Sequence, residues 1–307
     1  MEAFDVVVIG GGLAGLTAGL FAARHGRSTL VLEPAMPGGP LMNVPKIEDF
    51  PGFPEGVAGY DLGPMLQEQA ATYGADFRME EATGLEADGD DWVVVTAGDR
   101  YQARTVVVAA GSRLKALGIP GEERLYGKGV SHCASCDGPL YRGKTVGVIA
   151  EDEWAAQEAL TLTEWAGQVV VFHRGETVSG QHVFRERLAG EAKISDRPGT
   201  AVEEIVGDDG VTGVRVRDLA SDAESTIELE AVFTYGGVEP NTEFLAGLVE
   251  LDAAGHVVVD SWMRTGRPGL FVAGNIRSDA PGLALTAASD GAVAALAAHS
   301  YLAGRSA

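Results

Sequence analysis

The run DVVVI at residues 5–9, followed by GGGLAG and an apolar-periodic stretch from Leu13 to about Arg24, constrains this chain more than any other feature. A short unbroken apolar run reads as a strand buried on both faces, as in a parallel sheet. STLVLE, residues 28–33, is the next strand, so the chain opens with a strand–helix–strand unit. Gly10, Gly12 and Gly15 lie in its first turn, and Glu33 stands 18 residues beyond Gly15. This arrangement cradles a dinucleotide. Gly10 permits the tight turn, Gly12 lets the backbone approach a pyrophosphate, and Gly15 lets helix and strand pack closely. The helix N-terminus then faces the negative charge, and Glu33 sits at the spacing expected of a ribose ligand.

Residues 34–59 are rich in Pro and Gly and read as a long ordered loop, a kind usually tied to function. A helix is predicted over about 60–73, a hairpin from segments near 92–96 and 100–104, and a buried strand over 105–112. A second strand–helix–strand unit begins at residue 145, with TVGVIA, a helix over roughly 153–166, and QVVVF at 168–172. Gly10 and Glu33 are 23 residues apart, and so are Ala150 and His173. The chain therefore holds two nucleotide-fold modules. Strand-like runs at 200–206, 211–217, 226–229 and 231–235 would complete the second, and 236–242 reads as a linker back to the first. A last strand over 269–275 and an Ala-rich helix over 285–302 follow.

The two cysteines, Cys133 and Cys136, form one Cys-x-x-Cys. A disulfide scaffold would need more of them. Structural zinc usually takes four ligands; His132 offers a third, with no obvious fourth. The pair reads best as redox-active, because one exposed sulfur can form a mixed disulfide and a second resolve it. With 23 basic and 44 acidic residues the formal charge is −21, which repels nucleic acid. An acidic proteome or a salt-adapted host accounts for the charge better than an acidic functional patch. No apolar run spans a bilayer and no basic segment precedes the first strand, so a cytoplasmic location without a membrane partner is expected.

The order of motifs resembles the low-molecular-weight thioredoxin reductases over nearly the whole chain. GGGLAG, MPGGPL, EDFPGFP, VVAAGS, GIPGEE, GVSHCASCDGPLYRGK, GGVEPNT and LFVAGN carry the resemblance, and CASCDG is the most specific of them. It implies an α/β fold of two Rossmann-like, nucleotide-binding domains, the second inserted into the first. Residues 1–116 and 236–307 would form an FAD-binding domain, and 117–235 a central module like an NAD(P)H domain that carries the dithiol. It also implies a homodimer. By position, Gly10, Gly12, Gly15, Glu33, Gly38, Gly39, Leu41, Asp49, Ala82, Ala109 and Gly111 would line FAD, with Asn275 and Ala284 near its ribityl chain and ring. Cys136 would be the sulfur nearest the flavin, Cys133 would attack the substrate disulfide, and Asp137 would donate or accept a proton. Asp137 has a second reading as a helix cap, and His132 one as an ordinary partly buried histidine.

The departures cluster in the second module. Where the family carries Gly-x-Gly-x-x-Ala for NADPH, this chain has Ala150, Glu151, Asp152, Glu153, Trp154 and Ala155. At about 5 Å and an effective dielectric near 20, each carboxylate repels a phosphate charge by roughly 3 kcal/mol, on the order of a hundredfold in affinity per close pair. Trp154 fills the missing ligand's space or simply packs a helix start. The basic grip on a 2′-phosphate is reduced to Arg174 in His173-Arg174-Gly175-Glu176, with Ser179 at the last basic position. Around the flavin, Pro40, Asn275 and the pair Gly282-Leu283 replace a Gln, an Asp and an Arg-Gln.

The sequence thus points to an FAD-dependent disulfide or dithiol oxidoreductase that does not use NADPH. Its donor would be ferredoxin, another reduced flavin or a deazaflavin, with a thioredoxin-like protein or small disulfide as acceptor. The flow can also reverse, making it a dithiol oxidase. The alternatives are an NADPH-dependent thioredoxin reductase with a tolerant site and a non-catalytic flavin-binding protein.

Overall fold

The valine-rich runs that open each nucleotide-fold segment become the centres of two separate sheets. A computed structural model describes residues 1–150 and 154–305. The chain divides into two compact units, Met1–Arg113 with Glu239–Ala307, and Leu114–Val238. The first begins with β1 (Glu2–Ile9), α1 (Leu13–Arg24) and β2 (Thr29–Leu32), then α2 (Gly59–Thr72), β3 (Ala75–Arg78), β4 (Ala82–Asp88), β5 (Asp91–Thr96) and β6 (Arg100–Val108). The chain leaves through β7 (Ser112–Leu114). The second unit holds β8 (Val130–Ser131), α3 (Ala134–Asp137), β9 (Thr145–Ala150), α4 (Trp154–Leu162), β10 (Gln168–Phe172), α5 (His182–Gly190) and β11 (Ile194–Arg197). It continues with β12 (Thr200–Val206), β13 (Gly213–Asp218), β14 (Glu224–Glu228) and β15 (Ala231–Tyr235). The chain returns through β16 (Val238–Pro240) to β17 (Leu270–Val272) and α6 (Ala284–Arg305).

The first unit's main sheet runs β3-β2-β1-β6-β5-β4, with β17 also beside β6. Its β1, β2, β3, β6 and β17 pair in parallel, while β4, β5 and β6 form an antiparallel meander. The second unit's sheet, β11-β10-β9-β15-β8, is parallel throughout, and β12, β13 and β14 make a separate antiparallel sheet. Each unit is thus a Rossmann-like α/β layer structure, the second inserted between two segments of the first. The two share even a detail of register: Glu33 N–H donates to Arg78 O at 3.0 Å, and His173 N–H to Arg197 O at 3.4 Å.

Most predicted elements lie where the periodicity puts them, and the differences have physical causes. The predicted hairpin arm at 100–104 and the strand at 105–112 are one strand, β6, because its first half pairs with β5 and its second half with β17. The last strand is only Leu270–Val272, since Gly274 turns away with φ +81°. The edge strand β4 carries one buried residue, Leu85, and α5 one, Leu188, so neither shows an apolar pattern to read. No described helix is long and apolar enough to cross a membrane.

Small residues set how closely the layers approach. A Cβ at Gly15 would stand 1.8 Å from Gly10 O, and one at Gly291 would stand 2.0 Å from Ala14 O. Glycine at these places lets α1 lie against β1 and α6 against α1. Ala14, Ala18 and Ala22 of α1 share a buried cluster with Ala294, Ala295 and Ala298 of α6. Gly291→Val should therefore force the two backbones apart and destabilise the first unit by at least about 2 kcal/mol. A urea midpoint unchanged from wild type would contradict this reading.

Candidate functional site

The carboxyl ends of β1, β2, β6 and β17 share one end of the parallel sheet, the end at which open α/β folds take their ligands. Gly10 follows β1 with φ +103°, and a Cβ there would lie 2.4 Å from Ala109 O. The turn is thus pressed against the residue after β6, whose N–H donates to Ile9 O at 2.7 Å. Gly12 caps α1 and differs from its neighbours: a Cβ on it would meet nothing within 4 Å. Its open face leaves room for a ligand to touch backbone. Glu33 is fixed beside this turn, its Oε2 accepting the Gly11 N–H at 2.6 Å and its Oε1 the Ala35 N–H at 3.0 Å. Each oxygen keeps a further lone pair for a hydroxyl donor.

The long loop folds back onto the same turn. Gly38 N–H donates to Gly11 O at 2.8 Å, and Gly38 and Gly39 take φ of +119° and +61°. A short 3-10 turn over Gly39–Asn43 starts there. Pro40 falls in its first positions, where a missing N–H costs nothing, so this departure is accommodated locally. Leu41, and Ala284 at the start of α6, pack against one small cluster of Leu13, Val44, Ile47, Val57 and Leu62. Gly111 has φ +63°, and its carbonyl accepts the Asn241 N–H at 3.1 Å. Ala82 opens β4 opposite Thr96, half-buried on the core. Asp49 is exposed on the loop, and Asn275 is half-buried just beyond β17. Gly282 takes φ +79°, a conformation in which an arginine would be strained.

In the second unit, Cys133 and Cys136 are joined as a disulfide, with Cα atoms 5.3 Å apart. Cys133 caps α3, and its Sγ accepts the Cys136 N–H at 3.2 Å. Cys133 is half-buried and Cys136 exposed. Cys133 N–H donates to Ser131 Oγ at 3.1 Å, and Asp137 N–H to Cys133 O at 3.1 Å. The Asp137 side chain makes no cap bond to the following turn. Burial, and then the negative charge of Asp137, push the Tyr141 hydroxyl above its ordinary range. His132 Nδ1 lies 2.8 Å from Thr234 Oγ1, and its ring faces Tyr126 at 5.2 Å.

The family model for pyridine nucleotide-disulphide oxidoreductase matches residues 4–291. A thioredoxin reductase of Mycolicibacterium smegmatis is 38% identical over 300 residues, covering 97% of this chain and 96% of that one. The crystal structure of Lactococcus lactis thioredoxin reductase superposes with a TM-score of 0.95 at 34% identity, covering 98% and 99% of the two chains. A ferredoxin-flavin thioredoxin reductase from Clostridium acetobutylicum aligns with a TM-score of 0.55 at 27% identity, covering 99% of each. The chain belongs to the pyridine nucleotide-disulphide oxidoreductase family. Within it the chain is a thioredoxin reductase-like flavin disulfide oxidoreductase with FAD as cofactor. The first unit's turn fits that group on its own geometry: an uncrowded Gly12, a helix N-terminus behind it, and an acceptor carboxylate at its side.

The corresponding place in the second unit is built differently. His173, at the position of Glu33, is 2% exposed, and its Nε2 lies 2.9 Å from Asp196 Oδ1 on β11. Glu33 reaches across to its own glycine turn, whereas His173 is paired sideways with the next strand. Ala150 and Ala155 stand at the positions of Gly10 and Gly15, and both are buried. Glu151, Asp152 and Glu153, which carry the charge argument, lie outside the described residues.

Four side chains that hold these sites escape the sequence reading. Asp290, 6% exposed, accepts from Arg277 Nε at 2.7 Å and from Gly274 N–H at 3.2 Å, fixing the turn after β17. An acid inside an Ala-rich helix was its only signal. Glu158 and Tyr235 bond each other behind Ala134, with no sequence motif to mark them.

The two glycines of the first turn should separate by variant. Gly12→Val should leave stability within about 1 kcal/mol of wild type while weakening FAD binding more than about tenfold, as read by titrating apoprotein with FAD. Gly15→Val should prevent the unit from folding. Wild-type FAD affinity in Gly12→Val would show that the open face is not the cofactor's.

Proposed function

We propose that this chain exchanges electron pairs between FAD and the Cys133–Cys136 disulfide without taking hydride from NADPH. The observation that carries the reading is the contrast between the two nucleotide turns. The first keeps glycines and an acceptor aimed at the turn. In the second, His173 is paired with Asp196, and the sequence has Glu151, Asp152 and Glu153 where the family carries its glycine motif. In this reading Gly10, Gly12, Gly15, Glu33, Gly38, Gly39, Leu41, Asp49, Ala82, Ala109, Gly111, Asn275 and Ala284 hold FAD, within a discontinuous domain of residues 1–116 and 236–307. Bound FAD supplies a carrier that gains or loses two electrons.

The chain's own residues do the sulfur chemistry. In the reduced pair, the Cys133 thiolate attacks one sulfur of a substrate disulfide, breaking that bond and forming a mixed disulfide. Cys136 then attacks Cys133 Sγ, releasing the substrate as a dithiol and restoring the Cys133–Cys136 bond. Asp137 passes the proton that the departing thiolate needs. The Cys136 N–H on Cys133 Sγ supports Cys133 as the attacking thiolate, while the greater exposure of Cys136 favours the reverse order. The acceptor is a thioredoxin-like protein or a small disulfide. The likeness to the Clostridium acetobutylicum enzyme supports ferredoxin as donor, with another reduced flavin or a deazaflavin serving the same chemistry. A homodimer in the cytoplasm is part of the same reading.

NADPH added in excess without oxygen should leave the flavin absorbance unchanged, and a small dithiol should then bleach it. Rapid bleaching by NADPH would make the chain a pyridine nucleotide-dependent reductase. Cys133→Ser and Cys136→Ser should each abolish bleaching by dithiol. Unchanged flavin reactions in both would favour a non-catalytic flavoprotein. A trapped mixed disulfide is expected on Cys133 in Cys136→Ser, and trapping only on Cys136 in Cys133→Ser would reverse the two roles.

A further inference from the structure

A buried carboxylate that the sulfur chemistry above does not use is bonded to Ala134, between the two cysteines. Glu158, on α4, is 9% exposed. Its Oε2 accepts two hydrogen bonds, from the Ala134 N–H at 3.0 Å and from the Tyr235 hydroxyl at 2.8 Å. Ala134 follows Cys133 in the chain and is fully buried, and Tyr235 closes β15 at 1% exposure. Successive strand residues face opposite sides, and the neighbouring Thr234 serves the other side of the cysteine. Its hydroxyl and carbonyl meet His132 Nδ1 at 2.8 and 3.1 Å. The end of β15 therefore holds both residues that flank Cys133, His132 through Thr234 and Ala134 through Tyr235 and Glu158.

Two donors converging on one oxygen favour the ionised form of a buried carboxylate. A negative charge bonded to the residue beside Cys133 opposes a second negative charge on its sulfur. We propose that Glu158 is a positioning residue that sets the acidity of the Cys133–Cys136 dithiol, holding the reduced pair as thiols and making it more strongly reducing. This rests on the reading of Cys133 and Cys136 as the redox pair. Its logic is thermodynamic: whatever disfavours the thiolate disfavours the reduced state relative to the disulfide.

The test uses the FAD-loaded protein, reduced with dithiothreitol, freed of it without oxygen, and alkylated with iodoacetamide across pH. Glu158→Gln should lower the apparent thiol pKa by about one unit. At pH 7 the alkylation rate should rise only about threefold, because a more acidic thiolate is a weaker nucleophile. Equilibration with glutathione should shift toward the reduced pair. Glu158→Asp, which keeps the charge, should stay near the wild-type profile. Tyr235→Phe, which removes one donor to the carboxylate, should move the profile the same way as Glu158→Gln but less. A purely structural role would change rates without moving the pH midpoint. A wild-type midpoint and glutathione equilibrium in Glu158→Gln would overturn the proposal, and if that variant does not fold, a wild-type midpoint in Tyr235→Phe would do so. Alkylation reads the thiols whether or not the flavin passes electrons, so failure here is separable from failure of the electron-transfer reading.

Discussion

The approach of residue 15 to the carbonyl of Gly10 is the contact from which the first unit's site follows. Any side chain at 15 would sit 1.8 Å from that oxygen, so only glycine lets α1 begin directly above the end of β1. Ala14, the next residue back, then becomes a shared surface. Gly291 of α6 packs on its carbonyl, and Gly274, after β17, would place a Cβ 2.9 Å from its methyl. The turn, the start of α6 and the loop after β17 are thereby set by one close-packed row. Asp290 locks the row by taking Arg277 Nε, Arg277 Nη2 and the Gly274 N–H on its two oxygens. A buried pair of this kind adds little net stability by itself, but losing one partner costs about 3–5 kcal/mol. The geometry of the turn is therefore enforced by close packing and a buried ion pair.

Much of this was legible in the sequence. Valine runs bounded by glycine mark β1, β6, β9 and β10, because a strand buried on both faces needs apolar side chains at every position. The spacing from Gly10 to Glu33, repeated from Ala150 to His173, reveals two modules, and the structure repeats it in the matching bonds of Glu33 and His173 to the next strand. What could not be read depends on three dimensions. The half-exposed strand β4 and helix α5 have no apolar period to detect. The sideways pairing of His173 with Asp196 joins residues 23 apart, and Glu158 reaches Tyr235 across 77. Each looks like an ordinary polar residue until the fold brings its partner near. Pro40 and Gly282 are the converse case. They look like damage to a binding loop, yet one fits the opening of a 3-10 turn and the other a left-handed backbone position.

The second unit shows how a nucleotide fold can keep its scaffold while its nucleotide turn changes. Ala150, in place of the turn's first glycine, and Ala155, at the motif's alanine, are buried in one cluster with Val146, Val148 and Ala159, so the layer contact is kept as apolar packing. His173 ties β10 to β11 through Asp196, adding a cross-strand contact where its counterpart Glu33 serves the turn. Both alanines share that buried cluster with Ala134, the residue that follows Cys133, so the same packing also backs the dithiol. The cysteines follow β8, which leads straight into His132 and Cys133, and β15 pairs with both β8 and β9. The dithiol is thus held by the β8–β15 edge and by Glu158 of α4. On the proposed reading, in which electrons reach the flavin by another route, this shared packing still presents Cys133 and Cys136 from a fixed frame.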